Sequence, residues 1–158
     1  MLRVTRRAVP GARLARADAL RLPFADASFD LLWASYLLDL IPAEEMTPLL
    51  REFRRVLRAP STTLPAAGLR ASGTGGGRLV LVNFSKNGGP NAGSPESGER
   101  LTGWERAYRM TPTVLVPYLF GGCRPVLAEP FVRAAGFAEV EREFVSGGLD
   151  SEIITARK

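Results

Sequence analysis

Histidine is missing from this 158-residue chain, cysteine occurs once, and lysine occurs twice. Without histidine, and with Cys123 alone, the usual ligands of a zinc site are lacking and no internal disulfide can form. No apolar run approaches the roughly 20 residues needed to span a bilayer, so the sequence predicts no transmembrane helix and no membrane partner. A cytoplasmic compartment is the expectation. The cations are 19 Arg and 2 Lys against 16 acids, a net charge of +5. That arginine bias comes with abundant Ala, Gly and Pro, which fits the coding bias of a GC-rich genome, and charge alone does not argue for a nucleic-acid partner. At this length and 46% hydrophobic content the chain amounts to one domain, able to bury about two-thirds of its unfolded surface if complete.

The first 22 residues carry Arg3, Arg6, Arg7, Arg13, Arg16 and Arg21, with no acid before Asp18. This is the composition of a mitochondrial transit peptide, which leaves a mitochondrial address as the minor alternative. The competing reading is a solvated helix over Met1 to Ala8, broken at Pro10-Gly11. The pattern then continues without a gap into a strand candidate at Arg13 to Ala17, and this favours the helix.

Strands alternate with helices along the chain, as in a parallel sheet with helices on its faces. Strand candidates are Arg13 to Ala17, Asp30 to Ala34, Arg78 to Phe84, Ala138 to Ser146 and Glu152 to Arg157. Between the second and third, Leu49, Leu50, Phe53, Val56 and Leu57 share one face of a helix, and Arg51, Arg54, Arg55 and Arg58 share the other. Thr47 suits its cap and Pro48 its first turn, and the arginines are expected to be a solvated face. Trp33, inside an apolar run, is expected in the core. A further helix is expected at Leu127 to Ala135.

Ser61 to Gly75 is rich in Pro, Gly and small polar residues without periodicity and is expected to be a disordered insertion. Asn87 to Gly98 reads as a second flexible loop. The run Gly73 to Gly77 precedes a strand and follows a helix, the reverse of a nucleotide-binding loop, so it reads as a linker.

The segment Asp18-Ala19-Leu20-Arg21-Leu22-Pro23-Phe24-Ala25-Asp26-Ala27-Ser28-Phe29-Asp30, followed by Leu31-Leu32-Trp33-Ala34, resembles the middle of a class I S-adenosylmethionine-dependent methyltransferase of the UbiE-like, methyltransferase type 11 group. The resemblance extends over nearly the whole chain apart from Ser61 to Gly75. It implies a Rossmann-like α/β fold whose mostly parallel sheet ends in an antiparallel hairpin, Phe137 to Val145 with Ser151 to Arg157. It also implies S-adenosylmethionine as cofactor and a small-molecule methyl acceptor. Asp18 and Ala19 match the strand-end pair that holds the adenine amino group and a ring nitrogen. Ala34, Ser35 and Tyr36 fall at the strand end that flanks the donor methyl. Asp39 is a candidate for facing the substrate, with helix capping or a solvent-facing role equally open. Tyr108, Arg109, Cys123 and Arg124 fall where the family places its acceptor lid, with packing or surface charge as the open alternative. Asp26 reads as a solvent-facing turn residue.

The resemblance also implies parts that are not found here. The glycine-rich loop for the methionyl end, the acid for the ribose, and the first two strands of the usual seven-stranded sheet have no counterpart in these 158 residues. Met1 matches an internal Met of the family pattern. The expectation is therefore a partial domain that holds only the adenine end of the cofactor, weakly active or inactive as this chain alone, with an exposed sheet edge open to self-association. The alternative is a non-catalytic remnant acting as an interaction or regulatory protein.

Overall fold

Alternation within Arg78-Leu79-Val80-Leu81-Val82-Asn83-Phe84 sends Leu79, Leu81 and Asn83 to one face, where all three are buried, and this strand is one of the two inner strands of the sheet. The computed structural model describes residues 2–60, 76–85, 106–107, 110–112, 125–145 and 151–158. Among them the elements run α1 (Leu2–Ala8), β1 (Leu31–Ser35), α2 (Ala43–Val56), β2 (Arg78–Phe84), α3 (Glu129–Ala134), β3 (Ala138–Val145) and β4 (Ser151–Arg157), with a 3-10 turn at Leu38–Leu40. The sheet order is β1-β2-β4-β3. β1 and β2 are parallel, while β4 lies antiparallel to both β2 and β3. Among the described residues the sheet is thus mixed, with β4 running against the other three strands.

One face of this sheet is covered. Leu79, Leu81, Ile154 and Ala156 meet Met46, Leu49, Leu50 and Phe53 of α2 and Val132 of α3 in a single core. Each fully buried Leu in that layer contributes about 1.5–3 kcal/mol relative to exposure. The apolar stripe expected of α2 is the stripe that is buried, but the helix starts five residues earlier than expected. Ala43 opens it behind Pro42, and Pro48 lies inside, so Thr47 is not its cap. Pro48 removes one backbone donor, a loss tolerated because the buried stripe holds the helix on the sheet and Glu44 and Glu45 suit the positive end of its dipole. Gly136, at φ 90, ends α3 in the left-handed conformation that favours glycine.

The opposite face differs from expectation at β1. Leu31 is 54% and Trp33 63% exposed, because β1 sends alternate residues to opposite faces and only Leu32 and Ala34 turn toward α2. Trp33 is therefore not core. Residues 13–17 form no strand, since a strand needs a ladder partner and none lies beside them among the described residues. The helix expected at Leu127 to Ala135 is shorter, Glu129–Ala134. Ser61 to Gly75, Asn87 to Gly98, and the positions Tyr108, Arg109, Cys123 and Arg124 lie outside the described residues.

Where the chain leaves α2 and enters β2, Pro60 and Gly76 touch. A Cβ added to Gly76 would stand 2.9 Å from Pro60 Cδ and 2.6 Å from the Lys158 carbonyl oxygen, contacts that only glycine avoids. Gly77 N–H donates to the Arg58 carbonyl at 2.7 Å, closing the junction. The residues that flank Ser61 to Gly75, Pro60 and Gly76, are thus already together. Deleting Ser61 to Gly75 should change unfolding free energy by no more than about 1 kcal/mol, since loop length affects closure only logarithmically. Gly76→Val in the full chain should lower stability clearly, and urea denaturation of the two variants checks both.

Candidate functional site

The segment 18–30 has almost no regular structure, so its course is set by what it bonds to. It opens with a turn in which Arg21 N–H donates to the Asp18 carbonyl and Leu20 N–H donates to Asp18 Oδ1 at 2.9 Å. Asp18 is exposed, while Ala19 is half-buried. The segment is then fastened to the last turns of α2. Glu52 Oε1 accepts the Leu22 N–H at 2.7 Å, and Arg55 donates to the carbonyls of Leu22 and Phe24. Arg55 also binds both oxygens of Glu52 and reaches Asp26. Further along, Ala27, Ser28 and Phe29 donate their N–H groups to the carbonyls of Arg55 and Val56.

Arg55 is therefore not a solvated arginine. Its guanidinium uses all five N–H donors, and its side chain is only about a third exposed. Bonding to Glu52 and Asp26 holds its pKa above the ordinary arginine value. The bond from Arg55 in turn holds the Glu52 carboxyl below its ordinary range, against the opposing effect of burial. Asp26 faces solvent as expected but is ion-paired. Arg58 is exposed and pairs with the more exposed Asp30.

A groove of about 480 Å³ runs along β1 and is walled mostly by apolar side chains. It brings together Ala19 from the 18–21 turn, Ala34 and Ser35 from the end of β1, and Phe24 and Phe29, whose rings meet edge to face at 5.0 Å. Trp33 also lines it, its indole N–H donating to Ser35 Oγ at 2.6 Å. Neither Asp18 nor Tyr36 lines this groove. Tyr36 instead marks the carboxyl end of β1 with a left-handed backbone at φ 52, its N–H bonded to the Val82 carbonyl and its ring 4.8 Å from that of Phe84. Ala34 turns its side chain into the core, so only its backbone and its edge are available at the groove.

The carboxyl end of β2 holds buried polar groups, of which the sequence reading singled out Asp39 but not Asn83 or Glu152. Asp39 is fully buried, not solvent-facing, and accepts the Phe84 N–H at 3.3 Å. In effect it continues the ladder where β1 has stopped. Glu152 is fully buried against Arg142 at 2.7 Å and accepts the Ala128 N–H, while Arg142 donates to Ser85 Oγ. Burial pushes the Glu152 carboxyl upward despite its partner. This network ties together Ser85, where the chain leaves β2, and Ala128, next to Val126, which itself bonds to Phe84. Asn83, beside Glu152 in register, is 1% exposed and neither atom of its carboxamide has a hydrogen-bond partner.

The methyltransferase domain family matches residues 1–62, the stretch that contains the 18–30 segment and α2. A Thermotoga maritima S-adenosylmethionine-dependent methyltransferase, assigned as a possible histamine N-methyltransferase, aligns with a TM-score of 0.61 at 17% identity. It covers 100% of this chain and 69% of its own. The fold is that of a class I S-adenosylmethionine-dependent methyltransferase. The Burkholderia thailandensis 1,6-didemethyltoxoflavin-N1-methyltransferase, solved with its substrate and S-adenosylhomocysteine, aligns at 0.55 and 18% identity over 99% of this chain and 55% of that one. SpnF, a cyclase, has the same methyltransferase fold at 0.58 and 23% identity over 99% of this chain and 60% of that one. No curated protein matches the sequence.

Two expectations follow for stability. Glu152→Ala should cost about 3–5 kcal/mol in urea denaturation, because it strands a buried arginine. Asn83→Leu should be neutral or stabilising, since it removes polar atoms that have no partner. A third concerns pH. Because the folded state lowers the Glu52 pKa, its contribution is complete above the ordinary glutamate value and is lost as pH falls through the lower folded value. Glu52→Gln should remove that acid limb from the stability profile measured by thermal melts.

Proposed function

We propose that the chain carries out S-adenosylmethionine-dependent methyl transfer to a small-molecule acceptor, through the adenine-binding side of a methyltransferase site. The observation that carries this reading is the 18–21 turn beside an apolar groove that ends at the carboxyl end of β1. The exposed Asp18 carboxylate suits the adenine amino group as an acceptor, and the Ala19 amide next to it suits a ring nitrogen. Apolar walls from Phe24 and Phe29 suit a purine face and exclude water from those bonds. Open α/β sheets bind ligands outside the carboxyl ends of their strands, and Ser35, Tyr36 and Phe84 are at those ends. The cofactor supplies an electrophilic methyl group, so the protein's task is to hold donor and acceptor in line, and the lack of histidine is no obstacle.

The described residues fit the adenine end of the cofactor, and no methionyl or ribose contact is assigned to them. A methyltransferase fold does not by itself fix the chemistry. A second reading, a non-catalytic partner that associates through the edge of β1, draws on the exposure of Leu31 and Trp33 beside that edge.

Adenosine is the probe that separates the two readings. It should shift the amide resonances of Ala19 and Leu20 in the full chain. Asp18→Ala should weaken this binding by about 1–3 kcal/mol, the usual loss for a hydrogen bond to a charged group, with little change in melting temperature. Asp30→Ala, in the exposed pair with Arg58, should leave the affinity unchanged. Equal affinity for the Asp18 variant and the parent would remove the adenine role.

A further inference from the structure

We propose that Glu52 and Arg55 are positioning residues for the adenine end of the cofactor, acting from α2 through the backbone of Leu22. The inference rests on the adenine role proposed for Asp18 and Ala19.

Leu22 is the one residue of the segment whose backbone is gripped on both sides by this pair. Its N–H goes to Glu52 Oε1 at 2.7 Å and its carbonyl accepts from Arg55 Nη2 at 3.1 Å. The neighbouring turn is closed on itself by Arg21 N–H to the Asp18 carbonyl and by Leu20 N–H to the Asp18 carboxylate. Between the helix and Asp18 there is thus no free backbone swivel except at the junction of Arg21 and Leu22. α2 is itself locked on the sheet by buried Leu49, Leu50, Phe53 and Val56. The position of the adenine-binding pair is therefore referred to the core through Glu52 and Arg55, although neither side chain touches the adenine site.

The other arginines of that helix face do not do this. Arg54 bonds to the Gly136 carbonyl and Arg58 to Asp30, and both bonds are exposed. Arg55 alone makes five bonds, three of them to the 22–26 stretch. A lysine in its place, with one nitrogen on a flexible stem, could not serve Glu52, Leu22, Phe24 and Asp26 together.

The grip also has a polarity. An acid at 52 accepts from the Leu22 N–H, and a cation at 55 donates to the Leu22 carbonyl. Exchanging the two residues keeps an ion pair at the same spacing on the helix but points a donor at a donor and an acceptor at an acceptor. The exchange therefore separates support for the helix from the placement of Leu22.

The test uses the full chain, with adenosine as the probe and the Ala19 and Leu20 amide resonances as the readout, below the melting temperature of every variant. Glu52→Leu should lower adenosine affinity by about tenfold to a hundredfold, as misplacing a site by an ångström does. Glu52→Gln, which keeps an oxygen for the Leu22 N–H, should lose much less. The exchanged pair Glu52→Arg with Arg55→Glu should regain melting temperature relative to Glu52→Leu without regaining affinity. Should Glu52→Leu fail to fold, Arg55→Lys takes its place and should weaken adenosine while leaving the chain folded. Unchanged affinity in a folded Glu52→Leu or Arg55→Lys variant, or an exchanged pair that recovers affinity along with stability, would overturn the positioning role while leaving the adenine site standing. A parent chain that binds no adenosine would instead remove the adenine site, and this role with it.

Discussion

The fork between Arg55 and Glu52 decides where the 18–30 segment goes. That segment has no helix or strand of its own, and without an external anchor its backbone groups would be left to solvent. One guanidinium and one carboxylate, three residues apart on a helix, take up the Leu22 N–H and three backbone or side-chain acceptors from Leu22 to Asp26. The helix end then finishes the job with its own carbonyls, which accept from Ala27, Ser28 and Phe29. The last turn of α2 is in this way both the end of a core helix and the template for a loop.

β1 connects this loop to the sheet and divides the molecule into two unlike sides. Leu32 and Ala34 belong to the core, while Leu31 and Trp33 face the other way and border the groove. Beyond β1 the same division continues at the carboxyl ends. Tyr36 turns with a strained backbone, a conformation that surrounding structure must enforce, and Asp39 returns to take the Phe84 N–H. On the far side of β2, the buried pair of Arg142 and Glu152 fixes the departure point at Ser85 and the return at Ala128. The site edge is thus framed by two ion pairs of different kinds, one partly exposed and bonded to loop backbone, the other fully buried.

Much of the fold was legible because it is written in periodicity. The stripe Leu49, Leu50, Phe53 and Val56 fixed the buried face of α2, and β2 and the antiparallel pair β3 and β4 follow from alternation. What escaped depends on partners that periodicity does not see. Residues 13–17 have strand-like composition, but a strand exists only where a neighbour completes its ladder. A four-residue apolar run cannot say which of its faces is covered, and so Trp33 was misplaced. Arg55 looked like its neighbours Arg54 and Arg58, because the acceptors that set it apart lie about thirty positions away in sequence. Asn83 and Glu152 could have been noticed: each interrupts an alternation at a position that should be apolar. Among the site residues, the family resemblance named Ala19 and Ser35, which one groove brings together, whereas the route by which Ala19 is held there was not implied.

The contact between Pro60 and Gly76 has a consequence for the covalent continuity of the chain. It places the two sides of that junction next to each other by non-covalent means, through Gly77 and Arg58, through the parallel ladder of β1 with β2, and through the packing of α2 on β2. The peptide link between them is then one tether among several. A chain nicked there would consist of a piece with α1, β1 and α2 and a piece with β2, α3, β3 and β4, each carrying half of one hydrophobic interface. Such a pair has what a split reporter needs, two fragments that are incomplete alone and share a single mode of reassembly, with the 18–30 segment on one fragment and the buried Arg142–Glu152 pair on the other.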